Sequence, residues 1–293
     1  MTQRGIPVVE TQRVPGGRVA GAPRATLLAI YVVWWRDLLR YWRDRGRLLA
    51  SFAQPMLYLV IFGTGLGSTL RRAGGSFQGV DYTQFIYPGV IGMSVLFMAM
   101  FGAMSIVWDR EFGFLKELLV APINRSAVAI GKTLGGATQA LIQGLILLVL
   151  APFVGVRLNP LKVIELVPLI FILAFAISAL GVVVASRMRS IQGFQVVMNF
   201  LMMPIFFLSG ALFPLTGLPG WLTVLTRIDP AAYGVDPIRQ VVLAGSGLPA
   251  SVLDRFGLTV FDQRLTIPIE CVILILFGLV MLGLAVRNFQ QRD

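Results

Sequence analysis

The chain has 293 residues, of which 56% are hydrophobic and only 13% charged, with a net charge of +11. Soluble domains carry roughly 25% charged residues, so this is the composition of a membrane protein. One cysteine, Cys271, and no histidine exclude disulfide frameworks, Cys/His zinc sites and imidazole catalysis.

Residues 1–24 are rich in proline, glycine and arginine and read as a disordered tail. They lack the apolar h-region of a signal peptide, so no cleaved export signal is expected. Over 25–47, Leu28, Tyr31, Trp35, Leu38 and Trp42 recur at steps of three and four, with Arg36, Arg40, Arg43, Asp44 and Arg47 opposite. That spacing predicts an amphipathic helix lying in the membrane interface, tryptophans among the headgroups and arginines toward the cytoplasm. Seven charged residues within 36–47 argue against a first transmembrane helix here.

Six stretches free of Asp, Glu, Lys and Arg follow, at 48–70, 82–108, 133–156, 166–186, 190–226 and 271–286. A span needs about 20 apolar residues. Expected spans are therefore 48–68, 85–107, 133–155, 164–185, 193–213 and 266–286, within a transmembrane domain of 48–287 and ahead of a tail at 288–293. The fifth stretch is too long for one crossing and contains Pro214, Gly217, Pro219 and Gly220. It predicts a helix followed by a broken or re-entrant segment, which protein must cover because lipid cannot satisfy its polar backbone. Short helices rather than a separate domain are expected over 214–265. The last span places Glu270 at membrane depth, with Arg239 or Arg264 as counter-charge.

Six spans put both ends of the chain on one side. That side holds seventeen Lys and Arg, against eight on the other. The positive-inside rule makes it the cytoplasmic side, and the basic excess then faces anionic lipid rather than nucleic acid.

Gly131-Lys132-Thr133 has the ending of a phosphate-binding loop. However, Ser126 stands where its first glycine belongs, and no strand precedes it. No ATP hydrolysis is expected of this chain, nor any metal or cofactor bound by it. Between the second and third spans, 108–125 reads as a helix lying flat at the cytoplasmic surface and ending at Pro122. Asp109, Arg110, Lys116 and Glu117 share its exposed face, and Phe112, Leu115, Leu118 and Leu119 its apolar one. Glu111 falls on the apolar side, where Arg36, Arg40 and Arg43 offer counter-charges.

The stretch "DREFGFLKELLVAPINR", set between spans two and three, resembles the cytoplasmic connector of ABC-2-type transporter permeases, the daunorubicin-resistance-like and nodulation-type exporters in particular. A second stretch from Met202 to Arg239 is similar to the family's C-terminal pattern, with Ser209, Pro219, Pro230, Tyr233 and Arg239 in place. Ala231 departs from it, where a larger apolar residue is usual.

The resemblance implies an all-α polytopic exporter half in a bacterial plasma membrane. It would pair with a second copy or a paralogous permease, and with separate ATPase subunits that carry ATP and magnesium. The connector would be a coupling helix using Asp109, Arg110, Glu111, Phe112, Gly113, Lys116, Glu117, Leu118, Pro122 and Arg125. The cargo would be an amphipathic drug, a lipid or a lipid-linked glycan. Met93, Phe97, Met98, Met100, Phe101, Met198, Met202 and Met203 could line an apolar path for it or simply pack the helices. A secondary transporter or channel is the alternative, but it would usually show buried ionisable residues for ion coupling, and only Glu165 and Glu270 are expected near membrane depth. A membrane enzyme would need convergent acids, and Asp229, Asp236, Asp254 and Asp262 are scattered among turn signals.

Overall fold

A computed structural model describes residues 23–72, 82–113, 124–156, 158–245, 257–260 and 263–291. Six helices among these are long and apolar enough to cross a membrane: Leu48–Thr69, Tyr82–Glu111, Arg125–Val154, Pro160–Arg187, Ile191–Leu208 and Ile267–Gln290. They are taken below as the first to sixth spans of an all-α polytopic membrane protein. The described residues also include one two-residue strand pair, in which Thr259 faces Arg264 and Val260 faces Gln263.

The third span is the hub, packed against the N-terminal helix Pro23–Arg43 and the second, fourth and sixth spans. The first and fifth spans are peripheral and leave Leu57, Val60, Val196, Phe200 and Met203 exposed. Outward apolar faces suit a hydrocarbon solvent. One end of the bundle, the basic end, gathers Arg110, Arg125, Arg187 and Arg287.

Pro55 shapes the first span. Proline has no N–H to donate four residues back, so the Ser51 carbonyl loses its helical partner. Gln143 of the third span supplies one instead, its Nε2 donating to Ser51 O at 3.0 Å. Beyond the proline the helix loosens into a π-helix over Leu59–Leu66.

The second span departs from the expected layout. No flat helix begins at Trp108. After a break at Ala103, Met104–Glu111 continues the span, which ends at Phe112, where Gly113 turns the chain at φ 83°. Asp109 and Arg110 find partners inside the bundle, so the helix need not leave it to reach water. The third span likewise starts at Arg125, ahead of the expected 133, capped by the Asn124 side chain, which accepts from Ser126 N at 3.2 Å. Lys132 therefore sits inside a span. Lys116, Glu117, Leu118 and Pro122 lie outside the described residues, as do residues 1–22 of the expected tail.

After Leu208 the chain turns through Gly210 and Gly217, both at positive φ, into the helices Gly220–Ile228 and Ala232–Ala244. The second of these is buried against the second, fourth and sixth spans. The expected re-entrant segment thus takes the form of two short helices, one of them built into the bundle.

Candidate functional site: a buried ion network at the basic end

The N-terminal helix presents Ala29, Val33, Asp37 and Tyr41 to the bundle, four residues apart and all buried. The third span meets them with Gly131 and Gly135. A Cβ on Gly131 would come within 2.8 Å of the Val33 Cβ, and one on Gly135 within 3.3 Å of the Asp37 Cβ. Without side chains at those positions the two helices approach closely enough for Asp37 to reach Lys132. The N-terminal helix also ends at Arg43 rather than Arg47. Its exposed face carries Leu28, Tyr31, Trp35 and Trp42, whereas Leu38 is buried.

Lys132 uses all three of its donors. Its Nζ lies 3.0 Å from Asp37 Oδ1, 2.7 Å from Asp109 Oδ2 and 3.1 Å from Ser105 Oγ. The Lys132 and Asp109 side chains are each 1% exposed. Arg36 Nη2 donates to Asp109 Oδ2 at 2.8 Å, and Arg40 Nη1 sits 3.4 Å from Asp109 Oδ1. Asp37 is further held by Ser105 Oγ at 3.4 Å, and its backbone carbonyl accepts from Gln139 Nε2 at 3.3 Å. Removing one partner from such a network leaves a desolvated charge, at a cost of about 3–5 kcal/mol.

These contacts revise several sequence expectations. Asp109 and Arg110 do not share an exposed face. Asp109 is inside the network, and Arg110 donates to the carbonyls of Met188 and Ser186 at the end of the fourth span. Glu111 does turn back to its own chain, but not to Arg36, Arg40 or Arg43. Its Oε2 accepts from the Ile191 N–H at 2.9 Å, at the N-terminus of the fifth span, where unsatisfied amides and the helix dipole favour a carboxylate. Asp109 is the acid that takes the arginines.

Arg43 lines an open concavity with Arg36, Leu39, Arg40 and Asp44. Phe112 is 68% exposed. Arg125 reaches the Gln290 carbonyl at 3.5 Å and so ties the start of the third span to the end of the sixth. Asp37, Ser105 and Lys132 were missed by sequence reasoning. The available signal was Asp37 between Val33 and Tyr41 on one helical face, with Lys132 between glycines.

The C-terminal pattern residues gather at the opposite end. Ser209 Oγ donates to Phe206 O at 2.7 Å and accepts from Ala211 N at 3.3 Å. Arg239 is 1% exposed, donates to the carbonyls of Gly210 and Ala211, and lies 4.5 Å above the Phe85 ring. It closes the turn after the fifth span and so is not the counter-charge of Glu270. Pro219 caps the helix Gly220–Ile228, and Pro230 follows it. Tyr233 Oη donates to Arg227 O at 2.7 Å, and Arg227 Nε donates to Thr259 O at 3.0 Å. Asp236 accepts from Leu258 N at 2.9 Å.

Two buried acids of this region are under-satisfied. Glu270 is fully buried and its carboxylate oxygens meet no N–H donor among the described residues; its charged neighbours are the Asp236 carboxyl, close enough to share a proton with it, and the Arg264 guanidinium. Asp229 accepts from Ala231 N at 3.1 Å through one oxygen only, and burial pushes its carboxyl up to about 8.

Residues 28–243 match the family model described as ABC-2 type transporter. The chain belongs to the ABC-2 type transporter family. Among relatives, transport permease ycf38 of Cyanophora paradoxa is 30% identical over 86% of this chain and 85% of its own. Nodulation protein J of Rhizobium leguminosarum bv. trifolii is 29% identical over 78% of this chain and 86% of its own. Inner membrane transport permease YadH of Escherichia coli K12 is 26% identical over 80% and 89%.

In this ABC-2 permease the Gly131-Lys132-Thr133 stretch is helical and committed elsewhere. Gly131 packs on Val33, Lys132 is held between two carboxylates, and Thr133 Oγ1 donates to Ala129 O at 2.9 Å. Of the expected apolar path, Met93, Phe97, Met98 and Phe101 line one cavity. Met100, Met198 and Met202 are packed in the core, and Met203 is exposed.

Proposed function

We propose that this permease is the membrane half of an ATP-driven exporter, worked by a separate nucleotide-binding subunit that engages the connector around 112–125. One observation carries the reading. Three consecutive charged residues at the end of the second span bind three different parts of the bundle. Asp109 holds the N-terminal helix and third span, Arg110 the end of the fourth, and Glu111 the start of the fifth. A push on the connector at Phe112 and Gly113 is delivered at once to four elements. Motion of a rigid element that repacks its neighbours is how such switches act.

The basic asymmetry, seventeen against eight, supports a cytoplasmic basic end in a bacterial plasma membrane. There the exposed aromatics of the N-terminal helix lie among headgroups. ATP and magnesium belong to the partner, because Lys132 has no free donor for a phosphate. A second copy or a paralogous permease completes the pathway. The cargo is an amphipathic drug, lipid or lipid-linked glycan, in keeping with relatives named transport permeases and a nodulation protein. The test is co-reconstitution of the permease with its ATPase. Alanine at Arg110 or Glu111 is expected to lower transport per ATP hydrolysed while both subunits remain associated. Unchanged coupling in both variants would remove the proposal.

A second reading, a secondary transporter, gains one observation: the Asp37–Lys132–Asp109 group is an ionisable cluster inside the helices, a feature of proton relays. It predicts transport driven by a proton gradient without any ATPase.

A further inference from the structure

A cavity of about 250 Å³ lies beside Pro55 between the first, second and third spans. One wall is apolar, with Met93, Met98 and the stacked pair Phe97 and Phe101, whose ring centroids are 6.3 Å apart. The polar wall is Ser51, Gln54, Ser94 and Gln143, and none of the ten lining residues is ionisable.

Most of that polar wall is already occupied. Ser94 Oγ donates to Val90 O at 2.7 Å. Ser51 Oγ lies 3.0 Å from Gln143 Oε1, and Gln143 Nε2 donates to the Ser51 carbonyl that Pro55 left open. Gln54 is different. Its side chain is exposed and makes no hydrogen bond among the described residues, although it lies within the first span. A carboxamide offers two donors and an acceptor, and hydrocarbon satisfies none of them. Something polar must meet it.

We propose that this cavity is a binding subsite for the uncharged hydrogen-bonding group of an amphipathic ligand, read by the Gln54 carboxamide, with the ligand's apolar body against Phe97 and Phe101. The proposal rests on the exporter reading and names the chemistry of its cargo. A charged head is disfavoured, because the lining holds no counter-charge and desolvation would go uncompensated. The volume is below the roughly 300–1,000 Å³ of sites that enclose a drug-sized molecule, so the subsite takes one part of a ligand. Pro55 lines the room, and Gln143 satisfies the Ser51 carbonyl that the proline leaves without a helical donor.

The test uses the full-length permease in lipid nanodiscs and three photoreactive alkyl probes of equal chain length. Their heads are a glucoside, a sulfate and a trimethylammonium. The glucoside probe is expected to label the cavity at concentrations at least tenfold below the other two. Gln54→Leu should weaken that labelling at least fivefold, with Gln54→Asn retaining part of it and the melting temperature of both variants unchanged. Equal labelling by the three heads, or labelling indifferent to Gln54→Leu, would overturn the proposal. So would efficient disulfide formation between two Gln54→Cys copies, which would assign the carboxamide to a second copy of this chain. The assay needs neither ATP nor a partner, so its failure leaves the exporter reading standing. Loss of ATP coupling, conversely, would leave a measured subsite intact.

Discussion

Lys132 is the residue on which the basic end turns. It is buried between Asp37 and Asp109, and no residue at any of the three positions can be lost without stranding a charge. Asp109→Ala is expected to destabilise the permease by about 3–5 kcal/mol, read as a lower melting temperature in detergent. Lys132→Met should do the same. Asp37→Leu combined with Lys132→Met should cost less than the two single changes together, because the double variant removes both unpaired charges. Additive losses would mean that the two side chains are not coupled. At the opposite end, Asp229 makes a prediction in pH. Its carboxyl is pushed up from an ordinary value near 3.8 to about 8, so the folded chain holds a proton that the unfolded chain releases. Stability from this group is complete below about pH 3.8 and falls as pH rises toward 8. Melting should therefore occur several degrees lower at pH 8.5 than at pH 5.5, and Asp229→Asn should flatten the difference. An equal pH slope in the variant would place the titration elsewhere.

Among the elements, the end of the second span and the start of the fifth are joined by Glu111. Glu111→Ala removes the acceptor of the Ile191 amide, a loss of about 1 kcal/mol by the usual worth of a helix N-cap. Hydrogen exchange at the first turn of the fifth span should quicken, while Arg110 keeps the fourth span in place. Unaltered exchange there would break the link. The same elements show what the sequence could reveal. Six spans were legible because each is a long run without charge, and lipid demands that of a helix. The ends of the second and third spans were misjudged for the same reason: Asp109 and Lys132 read as water-facing charges marking span ends. They neutralise one another across a helix pair, and pairing between residues 23 positions apart leaves no periodic trace in one chain. Glu111 was recognised as misplaced on a helical face, but its partner is a backbone amide, which no side-chain pattern announces. The connector beyond Gly113 reads as a flat helix from its charged and apolar faces and as a coupling helix from family resemblance, and its Lys116, Glu117, Leu118 and Pro122 lie outside the described residues.

For the whole molecule, the proposed orientation makes a direct prediction. In a Cys271→Ser background, cysteines at Pro160 or Thr266 should react with an impermeant maleimide in intact cells, and cysteines at Arg189 or Gln291 should not. Labelling of Gln291→Cys from outside would invert the map. In the proposed function, a separate ATPase drives this ABC-2 permease through the connector, and the permease does no chemistry of its own. That reading is tested by co-purifying the tagged permease with its cognate nucleotide-binding subunit, followed by ATPase assay of both fractions. The expected result is a stable complex that hydrolyses ATP, a permease that alone does not, and loss of the complex on Glu117→Lys with the permease still folded. A permease that hydrolyses ATP alone would contradict it, as would Glu117→Lys holding the ATPase as firmly as the parent chain.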